Sequence, residues 1–165
     1  MDHAIKTIDA DYILWLDADT YTFRKITKEF VTGLLPSNKL VNFLGRGAKY
    51  PECGWVCYNK RHPKVKEFMK YWTDLYINDT IFKELEWHDS YVFWHLTKIY
   101  RKEKNIKVND IGRWKGVRGH HVFINSELGL YMDHMKGNRK TKGSSTKNDL
   151  RQSHDVDYWK KIPPV

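Results

Sequence analysis

Two carboxylates one residue apart, Asp17 and Asp19, stand directly after the apolar run Tyr12 to Leu16. A short continuous apolar run suits a strand covered on both faces of a parallel sheet. Ligands of open α/β sheets bind just beyond the carboxyl ends of the strands. Hard oxygen ligands at that point, separated only by Ala18, can share one divalent cation and the diphosphate it carries. The same triplet also suits a plain turn, because Asp is frequent at strand ends. Asp19 competes with Thr22 as the cap of a helix read from Thr22 to about Leu35.

A second group lies near the other end of the chain. His134, Gly137 and Lys140 follow a strand-like stretch, Leu128 to Met132, and open a basic loop that runs through Ser145. An imidazole nitrogen added to carboxylate oxygens suits manganese better than calcium. A glycine removes the Cβ that would hold a phosphate away, and a lysine supplies a point charge for it. Taken alone, His134 reads first as an ordinary surface histidine, and it reads as a ligand beside Asp17 and Asp19.

The Asp-X-Asp pattern after an apolar strand resembles the metal-binding motif of nucleotide-sugar-dependent glycosyltransferases with the GT-A fold. His-x-x-Gly-x-x-Lys resembles a C-terminal motif of glycogenin-like and lipopolysaccharide galactosyltransferase-like enzymes; Thr141-Lys142 stands where Pro-Trp often follows. Trp87-His88-Asp89-Ser90 is similar to the Trp-His-Asp-Glu-Ser stretch of blood-group A/B-type transferases, with Ser90 in place of the Glu. The segment from Glu52 to Asn59, followed by His62-Pro63, looks like the stretch that lines the donor-sugar and acceptor pocket.

These resemblances imply an α/β, GT-A-like mixed sheet flanked by helices. They imply transfer of a sugar from a nucleoside-diphosphate sugar to the hydroxyl of a glycan, lipid-linked or other acceptor. Asp17, Asp19 and His134 would hold Mn²⁺ or Mg²⁺, while Asp17, Lys136, Gly137 and Lys140 would hold the diphosphate. Asp89 would be the catalytic carboxylate, with Gly54, Trp55, Trp87 and His88 in the substrate pocket. Asp89 also reads as a helix N-cap, and Trp55, Trp87 and Trp114, candidates to stack on sugar faces, also suit a core.

With 165 residues, 41% hydrophobic and 15% aromatic, the chain can bury a real core and reads as one domain over 1–147, followed by a polar tail over 148–165. No apolar run is long enough for a bilayer span, and the first residues lack a signal peptide's apolar core. Cys53 and Cys57 would share a strand face too far apart to bridge, and adding His62 gives only a weak zinc alternative. A reducing cytoplasm, including the cytosolic face of a membrane, is the expected location.

The net charge of +9 calls for an anionic partner. The charge, the basic stretch Arg113 to His120 and the chain's abundant aromatics offer a competing reading as a nucleic-acid-binding protein, with nucleic acid as an alternative acceptor. A non-catalytic fragment serving as an interaction surface is the third reading. The basic loop from Lys136 to Lys147 is expected to be mobile and to close over the diphosphate.

The remaining pattern predicts a short first helix on Ala4, Ile5 and Ile8, and strands at Lys39–Leu44 and Gly54–Tyr58 around a turn at Gly45-Arg46-Gly47. A helix from Pro63 carries the stripe Val65, Phe68, Met69, Trp72, Leu75 and Tyr76. Another begins at Asp89 or Ser90 and buries Val92, Phe93, Leu96 and Ile99. Further strands are expected at Ile106–Ile111 and His121–Asn125. GT-A transferases place about half of a nucleotide-binding unit before the Asp-X-Asp strand, whereas sixteen residues precede Asp17 here. The fold is therefore expected to lack much of that half and to show an unpaired sheet edge. Self-association or an N-terminal partner segment would cover it.

Overall fold

The computed structural model describes residues 1–47, 49–112, 121–137, 139–142, 145 and 149. Its main sheet has the order β1 (Tyr12–Leu16), β4 (Lys49–Asn59), β3 (Val41–Arg46), β5 (Asn109–Asp110). β4 runs antiparallel to both of its neighbours, and β5 is parallel to β3, so the sheet is mixed. A separate ribbon pairs β2 (Thr20–Thr22) with β6 (Met132–His134). The helices are α1 (Asp2–Thr7), α2 (Lys28–Leu34), α3 (Val65–Ile77), α4 (Asp89–Glu103) and α5 (Arg139–Lys142).

Each face of the sheet has its own apolar layer. On one face Phe43, Val56 and Tyr58 pack with Phe68 and Met69 of α3 and Phe93 and Leu96 of α4. On the other, Leu44, Trp55 and Cys57 pack with Leu34 of α2 and with Phe123, Leu128 and Met132. The stripes on α3 and α4 deliver most of the residues expected; Tyr76 is the exception at 45% exposed, and Ile99 is half-buried.

β1 departs from the expected doubly covered parallel strand. It lies at a sheet edge, pairs antiparallel with β4 alone, and buries only Ile13, leaving Leu14 and Trp15 exposed. The expected apolar edge is thus present among the described residues.

The cysteines do not share a face. Phe43 pairs with Val56, but Leu44 pairs with Glu52, so β4 carries extra residues at this step. Such a bulge shifts the alternation of side chains, and it sends Cys53 into the first layer and Cys57 into the second. Both are buried free thiols, and a zinc site joining them with His62 is not formed.

Thr22 is consumed by the ribbon, opposite Met132. α2 therefore starts later, where the Thr27 hydroxyl accepts from the Phe30 N–H at 3.2 Å. Gly45 and Arg46 stay in β3, and the turn begins at Gly47, whose φ of 68° suits glycine. Of the expected strand at Ile106–Ile111 only β5 forms; His121–Asn125 is turn, and Glu127–Leu130 is a 3-10 helix leading into β6.

Candidate metal centre and adjoining cavity

The β1–β4 ladder carries one residue past β1, where the Asp17 N–H donates to the Gly54 carbonyl at 3.1 Å. The ribbon supplies the other half of the site. Thr20 pairs with His134, and the Met135 N–H donates to the Asp19 carbonyl at 2.8 Å. These two pairings bring together side chains that lie more than a hundred residues apart in sequence. His134 Nε2 stands 3.0 Å from Asp19 Oδ1 and 3.5 Å from Asp17 Oδ2. One ligand atom from each residue falls within 4.8 Å of the other two.

These spacings fit a small divalent ion. Octahedral ligands at about 2.1 Å from Mg²⁺ stand about 3 Å apart when adjacent and about 4.2 Å when opposite. The imidazole tilts the set toward manganese. The two half-exposed Asp side chains leave open positions facing solvent, while His134 is buried beneath them.

Gly54 has a different role from the one expected. A Cβ built on it would lie 2.7 Å from His134 Cε1, so the missing side chain is the space in which the imidazole sits. Glu52, named in the sequence only as the start of the pocket-like stretch, lies behind that ring, 3.8 Å from His134 Nδ1. It is 7% exposed and is held by the Gly54 N–H at 3.3 Å and by Lys136 at 3.2 Å. Its place at the bulge, rather than any local spacing, puts it there.

Lys140 reaches the cluster from α5, with Nζ 3.0 Å from Asp19 Oδ2. Burial works against charge on Asp19, but the hydrogen bond from Lys140 and the charges of His134 and Lys140 prevail and hold its carboxyl below the usual range. Gly137, at φ 64°, makes the turn into α5 without strain, and nothing lies near its missing Cβ. Arg139 Nε donates to the His134 carbonyl at 3.1 Å and ties the loop to the ribbon. Asp133 is structural. It faces away into a buried set formed by His121 Nε2 at 3.2 Å and by the Ser145 N–H and hydroxyl, both at 2.8 Å.

Beside the cluster, a mainly apolar cavity of about 360 Å³ lies between β1, β4, α1 and α3. Trp15 joins the two features: it lines the cavity, and its indole N–H donates to Asp17 Oδ1 at 2.9 Å. The signal was present in the sequence, because residues two apart on a strand share a side. Asp89 also lines the cavity, in the first turn of α4. It is not the N-cap; His88 is, its Nδ1 accepting from the Tyr91 N–H at 3.2 Å.

The other pocket residues are placed elsewhere. Trp55 is fully buried and donates to Asn42 Oδ1 at 2.9 Å, which makes it a core residue and removes it as a sugar platform. Trp87 is exposed and packs edge-on against Phe82, while His88 pairs with Glu86 at 2.6 Å. Neither lines the cavity, whose lining includes Trp15 and Trp72 instead. Trp114, the Arg113–His120 stretch, most of the loop beyond Lys142 and most of the expected tail lie outside the described residues. No helix among the described residues is long and apolar enough to cross a membrane.

No family model, curated protein or solved structure matches this chain.

Proposed function

We propose that the chain is a metal-dependent glycosyltransferase of GT-A type, or its catalytic and acceptor part. It would move a sugar from a nucleoside-diphosphate sugar to an acceptor hydroxyl. The observation that carries this reading is the meeting of Asp17 and Asp19 with His134, each group placed by its own strand pairing. Two motifs matched to one chemistry from sequence alone converge in space.

Asp17, Asp19 and His134 would hold Mn²⁺ or Mg²⁺, which when bound supplies positive charge against the diphosphate leaving group. Lys140 and Lys136 flank the cluster, where their ammonium groups can meet the remaining phosphate charge as the sugar–phosphate bond breaks. Glu52 sits behind His134 and biases the imidazole's orientation. Asp89 and Asp2 are the carboxylates lining the cavity that an acceptor would enter, Asp2 being paired with Lys6, and Trp15 forms the wall between cavity and cluster. In that position Asp89 would orient the acceptor hydroxyl and accept its proton.

Calorimetry with Mn²⁺, then with a panel of nucleoside diphosphates at saturating Mn²⁺, tests the reading. Nucleotide binding that requires the metal supports it. Salt-sensitive binding of any oligonucleotide without metal dependence would replace it with the nucleic-acid reading.

A further inference from the structure

The Lys140 ammonium lies within hydrogen-bond distance of an oxygen of the proposed metal ligand Asp19. Its side chain is 60% exposed and that of Asp19 is 28% exposed, so the pair stands at the mouth of the cluster. Asp17, Asp19 and Glu52 place three carboxylates around one imidazole. Glu52 has its own cations in Lys136 and Arg46, at 3.2 and 3.9 Å. Lys140 is the cation assigned to the Asp19 side.

We propose that Lys140 pairs with the outer oxygen of Asp19 before a divalent ion binds and exchanges to the diphosphate when the ion joins the neighbouring oxygen. This rests on the metal reading given above. A dication on one oxygen of Asp19 disfavours an ammonium held 3.0 Å from the other, because like charges at short range repel. α5 begins two residues after Gly137, and the lysine's four-carbon stem lets Nζ swing while its Cα stays fixed. The same charge therefore opposes the metal when it binds alone and supports it when it arrives with a diphosphate. Metal and donor binding become coupled through one side chain.

The test compares wild-type chain, Lys140→Gln and Lys140→Arg by calorimetry with Mn²⁺ alone, and then with inorganic pyrophosphate at saturating Mn²⁺. Removing the lysine charge should tighten Mn²⁺ alone by about two- to fivefold, the range of a largely exposed ion pair, and this gain should vanish in 1 M salt. The same variant should weaken pyrophosphate by about tenfold or more. Lys140→Arg, which keeps the charge, should follow wild type in the metal titration. Opposite signs in the two titrations are the signature, since a merely damaged site would weaken both. If wild type binds Mn²⁺ and Lys140→Gln binds it equally or less well, the exchange is refuted while the metal centre stands. Pyrophosphate binding that ignores Lys140 refutes the exchange as well. If wild type binds no Mn²⁺, the metal reading itself falls.

Discussion

The His134 imidazole occupies the volume that any side chain at Gly54 would fill, with 2.7 Å between the ring and the position of the missing Cβ. A strand residue and a ribbon residue are thereby interlocked at the base of the cluster. Gly54→Ala should displace the ring and weaken Mn²⁺ by about tenfold or more, as loss of a ligand's support commonly does. The overpacked site should also cost about 1–3 kcal/mol of stability. Calorimetry and a thermal melt read the two effects separately. Unchanged metal affinity would show that His134 is not held by this contact.

Trp15 reports on the cluster directly because its indole N–H is bonded to Asp17. Paramagnetic Mn²⁺ bound at Asp17 should quench part of the tryptophan fluorescence. Trp15→Phe should abolish that component, although six other tryptophans remain. Quenching of the same size in the variant would move the ion away from Asp17.

Burial pushes the thiols of both Cys53 and Cys57 up to about 12, with the charge of Asp89 adding to the effect at Cys53. Neither should react with a thiol reagent at pH 8 until the protein unfolds. The folded state holds these protons more tightly than the unfolded chain, whose thiols titrate near 8.5. Their stabilisation is therefore complete below about pH 8.5 and is lost as pH rises toward 12. Denaturant midpoints that rise between pH 9 and 11 would contradict this placement.

Among the described residues β1 offers a free edge with no charge, proline or bulge in its five positions, and Leu14 and Trp15 lie exposed along it. Such edges invite a further strand. The chain should associate with itself through this edge in a concentration-dependent way. Leu14→Lys should reduce the self-association seen by sedimentation. A wild-type chain that stays monomeric at high concentration would leave the edge protected by some other means.

The chemistry was more legible in the sequence than the scaffold. Asp17, Asp19, His134 and Lys140 declare themselves by residue type and by what precedes them, and the structure brings them together. The helices α3 and α4 were legible because their apolar stripes repeat at the helical period. Thr22 misled because a threonine fits a strand as well as it fits a cap, and its partner Met132 lies far along the chain. The bulge in β4 left no local mark. It misplaced Cys53 relative to Cys57, hid Glu52 behind His134, and turned Gly54 from a pocket residue into the clearance for an imidazole. Trp55 and Trp87 look alike in sequence, and only the position of each relative to the sheet makes one core and the other surface.

The most direct measurement is Mn²⁺-dependent binding of a nucleoside diphosphate to wild type, Asp19→Asn and His134→Ala, read by calorimetry with circular dichroism to verify the fold. The proposed centre requires Mn²⁺ to bind wild type, requires nucleotide binding to depend on it, and requires both to fall by at least about tenfold in each variant. Variants that remain folded and bind metal and nucleotide as wild type does would show that Asp19 and His134 meet for structural reasons alone.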